Sequence, residues 1–202
     1  MKKLQSISFL LAVVAAALGA SAPVQAQSTS ASSAGSAMYG TGNSYVGLSG
    51  GRSHFSLNAG TGVFPSERHD TSYSLAAGTF FDRNFGLEVG YTDFGTINRG
   101  GGRTRAEGIN LSAVGRVPLS TSFNLLGKLG TTYGHSQVSS FAGSGITSGS
   151  QNGFGLSLGL GAEYVFTNQF SMLLQYELHD LRFAGGGRDH VGDTSVGLRY
   201  RF

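Results

Sequence analysis

The fold is decided by the closing stretch, residues 193–202, which reads DTSVGLRYRF. One parity of this stretch holds Thr194, Val196, Leu198, Tyr200 and Phe202, and the other holds Asp193, Ser195, Gly197, Arg199 and Arg201. Alternation with a period of two is typical of a β-strand with two unlike faces. A membrane strand and a soluble edge strand share this pattern, so the rest of the chain must distinguish them.

Seven further segments alternate in the same way. The predicted strands are residues 45–55, 72–81, 85–94, 105–117, 123–137, 154–166, 170–181 and 193–202. Short connections follow the second, fourth and sixth strands, whereas the other connections, residues 56–71, 95–104, 138–151 and 182–192, are longer. This asymmetry is typical of transmembrane barrels, in which an even strand number brings both termini to the periplasmic side. The sequence therefore predicts an all-β fold: an eight-stranded antiparallel up-and-down transmembrane β-barrel.

The alternation alone does not say which face is outside, because a soluble barrel places its apolar parity inside. Here the polar parity is mostly Gly and Ser, whereas a water-facing surface would carry more Lys and Glu. Phe81, Phe85, Phe166 and Phe170 flank short connections, where an interfacial aromatic girdle belongs. We therefore expect the apolar parity to face lipid and the small and charged parity to face the lumen.

The beginning of the chain reads as an export signal. Residues 1–26 combine Lys2 and Lys3 with an apolar run that is too short for a membrane-spanning helix, followed by small residues at the expected cleavage position. The Ser-, Ala- and Gly-rich residues 27–43 are expected to be a disordered lead-in, and residues 44–202 the barrel domain. Without Lys2 and Lys3 the basic residues fall from 14 to 12 against 11 acidic ones, so charge does not suggest a nucleic-acid partner.

Two internal stretches resemble OmpA-type outer-membrane barrels. GLSLGLGAEYVFTNQFSMLLQYE, residues 155–177, is similar to their sixth and seventh strands, and FGLEVGYTDFG, residues 85–95, to their third. The terminal Tyr200 and Phe202 resemble the C-terminal signal that the barrel assembly machinery reads. The resemblance implies location in the cell outer membrane and handling by periplasmic chaperones and that machinery. The periplasmic OmpA C-terminal domain is not expected, and the basic lumen residues of the family's fourth and seventh strands are replaced by Val114 and Leu173.

The lumen parity carries the candidate site, a network of charges: Glu88, Lys128, Glu163, Arg199, Arg116, Glu177 and Arg201. An eight-stranded barrel is just wide enough to be filled by side chains, so we expect a neutralised polar plug. The alternative is a gated narrow pore. Lys128 and Arg199 are expected to neutralise Glu88 and Glu163, but the sequence does not say which base meets which acid.

No catalytic, cofactor or metal site is expected. His135 and Ser136 are adjacent, as are Ser53 and His54, and adjacent strand residues point to opposite faces. No two histidines share a face of one strand at ligand spacing, so no metal is predicted.

The predicted partners are outer-membrane lipids and lipopolysaccharide, and the barrel is expected to be a monomer. Lipopolysaccharide phosphates could be gripped by loop and rim arginines, although acidic residues are as numerous there. These arginines are Arg52, Arg68, Arg99, Arg103, Arg105, Arg182 and Arg188. The predicted function is a structural or surface-interaction role. A narrow pore or small-solute channel is the first alternative, and an adhesin or immune-evasion protein acting through extracellular loops is the second; the sequence identifies no host ligand.

Overall fold

The computed structural model describes residues 43–56, 69–99, 102–140, 148–183 and 187–202. The predicted signal, the lead-in up to residue 42 and Arg68 lie outside the described residues. Eight strands follow each other in chain order. They are β1 (Ser44–Phe55), β2 (His69–Phe80), β3 (Phe85–Arg99), β4 (Gly102–Pro118), β5 (Phe123–Ser140), β6 (Gly149–Val165), β7 (Phe170–Phe183) and β8 (Gly187–Arg201).

Each strand pairs antiparallel with its chain neighbours, and β1 pairs with β8 to close the barrel. The predicted fold class is therefore confirmed. Closure leaves no sheet edge, so the backbone groups of the strands bond to one another, as a hydrocarbon environment requires. None of the described residues forms a helix long and apolar enough to cross a membrane.

Tight turns connect β2 to β3, β4 to β5 and β6 to β7. In the first, a carboxylate oxygen of Asp82 accepts hydrogen bonds from the backbone N–H groups of Asn84 (2.6 Å) and Phe85 (2.7 Å). In the third, the Thr167 hydroxyl accepts a hydrogen bond from the Phe170 N–H (3.0 Å). The start of β1 and the end of β8 lie at this same end of the barrel. We call it the turn end, and the opposite end the loop end.

The strands extend further at the loop end than predicted. The predicted loops 56–71, 95–104, 138–151 and 182–192 were too long, because β2 begins at His69 and β8 at Gly187, while β3 and β4 continue to Arg99 and Gly102. The physical reason is that the outer face becomes polar near the loop end, while the lumen face there carries apolar residues such as Phe55 and Val191. Backbone pairing continues, but the membrane pattern of an apolar outer face and a polar lumen face, which is the sequence signal, ends.

A bulge in β3 also shifts the alternation. The pairing of β3 with β4 slips between Asp93 and Thr96, and Gly95 has a φ of 82°, a left-handed conformation that favours glycine. A carboxylate oxygen of Asp93 accepts a hydrogen bond from the Gly95 N–H (3.0 Å). As a result Phe94 and Ile97 are both buried in the lumen, although they are three residues apart.

The outer face is apolar, as expected. Leu160 and Leu48 are 67% and 65% exposed, and the large exposed side chains of the strands belong to the apolar parity. Exposed aromatics at the turn end are Phe85, Phe123, Tyr164, Phe166, Phe170, Tyr200 and Phe202. A second set nearer the loop end comprises Tyr73, Tyr133, Phe154 and Tyr176. Two aromatic girdles with an aliphatic band between them are the pattern of a lipid-facing barrel surface.

Candidate functional site

The centre of the lumen is filled by a chain of ion pairs. It runs through Arg201, Glu163, Arg199, Glu88, Lys128 and Glu177, which we call the ion-pair chain. Three bases and three acids alternate along it, so its formal charges cancel. Of these, Glu88, Glu163, Glu177 and Arg199 are buried, and Glu163 has no exposed surface at all. Buried charges need such partners because an isolated charge is costly to desolvate.

Lys128 is the central base of the chain. Its ammonium donates hydrogen bonds to Glu88 Oε1 (2.7 Å), Glu177 Oε1 (2.6 Å) and Gln175 Oε1 (3.1 Å). The three contacts match the three protons of an ammonium group. Glu163 is not among the partners of Lys128 in the described part of the lumen, so Lys128 joins β3 to β7.

The Glu163 carboxylate has its own set of partners, which differs from that of Lys128. Oε1 lies 3.2 Å from Arg199 Nη1 and 2.7 Å from Arg201 Nη2, the second contact being ionic without hydrogen-bond alignment. The Ser171 hydroxyl donates to Oε1 (2.8 Å) and the Asn124 amide to Oε2 (2.9 Å). The carboxylate is thereby satisfied by four residues.

Tyr45 contacts both Glu88 and Arg199 in the middle of the ion-pair chain. It was not identified from the sequence as a member of the site. Its hydroxyl donates to Glu88 Oε2 (2.7 Å), which also lies 3.3 Å from Arg199 Nη2. The Arg199 guanidinium carbon lies 3.9 Å from the centre of the Tyr45 ring, a cation–π contact. The sequence signal that could have identified Tyr45 is its position on the lumen-facing parity of β1, but the alternation of this strand is irregular.

Arg116 occupies a different position from the rest of the predicted network. Its Nε donates to the Arg83 carbonyl (2.9 Å), and its guanidinium lies 4.2 Å from the centre of the Phe80 ring. No ion pair of Arg116 with an acidic side chain occurs among the described residues. Because Arg83 belongs to the turn between β2 and β3, Arg116 lies at the turn end of the lumen and outside the ion-pair chain.

Towards the loop end the chain of charges continues into His179. Its Nε2 lies 3.4 Å from Glu177 Oε2, and its Nδ1 is 2.9 Å from the Thr132 hydroxyl. Asp193 is buried in the same region and accepts a hydrogen bond from the Ser72 hydroxyl. Parity had assigned Asp193 to the lumen, but its depth depends on the unexpected length of β8.

Two clusters of buried apolar side chains accompany the charges in the lumen. The loop-end layer consists of Phe55, Phe94, Ile97, Ala106, Leu181 and Val191, each at most 1% exposed. The turn-end layer consists of Tyr45, Phe80 and Val114. Between them a cavity of about 30 Å³ is lined in part by Glu88, Lys128 and Glu177, which is room for one or two waters.

The residue pairs considered for catalysis lie on opposite faces, as predicted. Ser136 is buried in the lumen and donates to the Arg182 carbonyl (2.6 Å), whereas His135 is on the outer face. Ser53 is likewise buried and His54 exposed.

The C-terminal aromatics belong to the outer face at the turn end. Tyr200 lies opposite Phe170 in the register, with ring centres 5.1 Å apart, and Phe202 stacks on Tyr200 at 6.3 Å. The Phe202 N–H donates to the Ser44 carbonyl (3.0 Å), so the last residue still bonds across the closing seam.

A closed barrel with a lipid-compatible exterior and a filled interior is a small transmembrane β-barrel of an outer membrane. A model of the outer membrane protein beta-barrel domain family matches residues 12–202, and the chain belongs to this family.

Comparison with individual proteins agrees with this assignment. The chain is 28% identical over 141 residues to outer membrane protein A of Yersinia pseudotuberculosis serotype I (strain IP32953), which covers 63% of this chain and 40% of the relative. The structure of Neisserial surface protein A has a TM-score of 0.63 at 17% identity, covering 80% of this chain and 98% of that one. Ail of Yersinia pestis, the attachment invasion locus protein, has a TM-score of 0.55 at 20% identity, covering 80% and 99%. These two structures support the fold alone.

Proposed function

We propose that the protein is a sealed structural and surface-interaction barrel of the outer membrane, with a neutralised lumen that does not conduct. The observation that carries the proposal is the loop-end layer, whose six side chains are at most 1% exposed. Past the charged rim, an ion entering from this end meets this layer before it reaches the ion-pair chain, and a narrow hydrophobic constriction excludes water and ions. The balanced ion-pair chain beneath it holds the strands together across the lumen.

Conductance in planar lipid bilayers tests the proposal. The parent barrel should give no steady current, whereas Phe94→Ala combined with Leu181→Ala should admit water and give a measurable leak. Leu174→Ala, which shortens an exposed side chain on the lipid face, is the matched control and should stay closed. A steady current through the parent protein would contradict the proposal.

A narrow pore is the second candidate. It is favoured by the polar cavity between the apolar layers, because the charges beside it could rearrange around water. If the barrel is a gated pore, the parent current should be intermittent and should change when Glu88 or Lys128 is replaced. Current that is steady and insensitive to both replacements would instead indicate a path along the glycine-rich parity.

A surface-binding role would act through the loop end. Ail is described as an attachment invasion locus protein, and one of its structures holds the heparin analogue sucrose octasulfate. By analogy, the residues between the strands at the loop end would bind a host molecule. Replacing residues 57–68 or 141–147 by short Gly/Ser linkers should abolish attachment to host cells while leaving the barrel folded; unchanged attachment in both variants would exclude this role.

The remaining partners are proposed on chemical grounds. The outer girdles fit lipid, and the exposed Arg52, Arg103 and Arg182 at the loop end fit lipopolysaccharide phosphates. Arg105 is already paired with Asp93 at 2.8 Å, so it offers less charge. Tyr200 and Phe202 are the proposed contact for the assembly machinery, and the barrel is proposed to be a monomer.

A further inference from the structure

Two histidines face each other on the outer surface at the loop end. His54 of β1 and His69 of β2 are directly opposite in the strand register, and both are exposed. Their Nδ1 atoms lie 3.2 Å apart, and the ring centres are 4.5 Å apart with the planes at 43°. Sequence reasoning missed this pair because it compared histidines within one strand and placed His69 in a loop.

The spacing of the two nitrogens suits a shared metal ion. At the Zn–N distance of about 2.0–2.1 Å, nitrogens 3.2 Å apart subtend an angle of about 100° at the metal. This angle lies between the octahedral and the tetrahedral values. Imidazole is a preferred ligand of Zn²⁺, Cu²⁺ and Ni²⁺, whereas Mg²⁺ and Ca²⁺ prefer oxygen.

The other histidines at this end of the barrel, and the neighbouring Asp70, already have hydrogen-bond or ionic partners of their own. His190 contacts Asp180, and His135 contacts Asn152, so two other rim histidines already have oxygen partners. Asp70, the next residue along β2, accepts hydrogen bonds from the backbone N–H groups of Thr71 and Thr96 with its two oxygens. Among the described residues no group of three or more His, Cys, Asp or Glu is placed to hold a metal, so water would complete the coordination sphere.

We propose that His54 and His69 form a two-imidazole chelate for a divalent transition-metal ion, with Zn²⁺ as the representative. The metal joins β1 to β2 on the outside of the barrel, next to the point where the two strands part. With two protein ligands and several open positions, the site is exchangeable and can accept a further ligand from its surroundings. Its role is to bind metal at the surface, and no reaction is assigned to it.

The test uses the refolded, tag-free barrel in lipid nanodiscs, titrated with ZnCl2 in a calorimeter. The parent should bind one Zn²⁺ per barrel. His54→Asn and His69→Asn should each weaken binding by at least about tenfold, because loss of one imidazole removes the chelate. His135→Asn, which replaces an outer-face histidine elsewhere on the barrel, should bind as the parent does, and MgCl2 should give no comparable heat.

A second measurement guards against a folding defect. Zn²⁺ should raise the urea midpoint of the parent and of His135→Asn, but not that of His54→Asn or His69→Asn, since only a ligand bound to the folded state stabilises it. The proposal is overturned if either single variant binds Zn²⁺ as tightly as the parent. It is equally overturned if His135→Asn loses as much affinity, or if Zn²⁺ binds no better than Mg²⁺.

Discussion

Replacing Lys128 by methionine tests the ion-pair chain most directly. Methionine keeps much of the side-chain length but removes the charge that holds Glu88 and Glu177 together. The two acids then differ in what remains. Glu88 still contacts Arg199 and Tyr45, whereas the one basic side chain left beside Glu177 among the described residues is His179, at 3.4 Å.

Breaking a buried ion pair costs about 3–5 kcal/mol, and the small polar cavity should place Lys128→Met near the lower limit. Adding Glu177→Gln removes the orphaned charge, so the double variant should recover part of this loss, with a coupling of about 1–3 kcal/mol. Glu163→Gln is the matched control. Because Glu163 does not contact Lys128 and lies beyond Glu88 and Arg199 in the ion-pair chain, its coupling to Lys128 should be smaller than that of Glu177.

Urea unfolding in lipid vesicles measures these differences. The chain has no tryptophan, so unfolding is followed by far-UV circular dichroism and by the folded band in gels run without boiling. Equal coupling of Lys128 to Glu177 and to Glu163, or a Lys128→Met variant as stable as the parent, would refute the reasoning. Either result would mean that hydration, and not the direct contacts, stabilises these charges.

Three further substitutions probe the lipid face, the lumen and a turn. Leu158→Arg should cost on the order of 2–4 kcal/mol because it places a charge in hydrocarbon, whereas Leu119→Arg, in a turn, should cost little in the same vesicle assay. Gly159→Ala should cost about 1–3 kcal/mol, since its new Cβ would lie 3.1 Å from a glutamate of the ion-pair chain, while Gly127→Ala points into open space and should be nearly neutral in urea titrations. Backbone N–H groups hold the pKa of the Asp82 carboxyl below its ordinary value of 3.8, so the carboxylate stabilises the fold above that pH and ceases to do so as pH falls through the folded-state pKa. The parent should therefore have a higher urea midpoint than Asp82→Asn at neutral pH, and the gap should narrow in acid; a gap that is constant with pH would contradict this.

The barrel was predictable because apolar residues recur at every second position along most of the strands, on the face that contacts lipid. In β6, Leu156, Leu158 and Leu160 alternate with Ser157 and Gly159, and the turn that leads to β7 is short. The signal fails where the lipid ends. Residues near His69 and Gly149 are in strands, but neither of their faces is apolar, and the β3 bulge at Gly95 reverses parity without a clear sequence mark.

The members of the site were easier to predict than their contacts. Parity placed Glu88 and Lys128 in the lumen, but their meeting across the barrel depends on the stagger between strands that are not adjacent. Arg116 shares their parity and yet lies at the mouth, because position along the strand decides depth. Tyr45 was missed because the alternation of β1 is weak. Tyr45 belongs to the site through its hydroxyl, which donates a hydrogen bond to Glu88.

The hydrogen bond between Phe202 and Ser44 has a consequence for chain order. Because the first and last strands meet side by side, a short peptide can link them, and the chain can be reopened within the turn between β4 and β5. Such a circular permutant retains every strand neighbour while moving the terminal aromatic residues into the middle of the sequence. It thus separates two properties that coincide in the natural order: the shape of the barrel, and the position in the chain of the aromatic residues proposed to contact the assembly machinery.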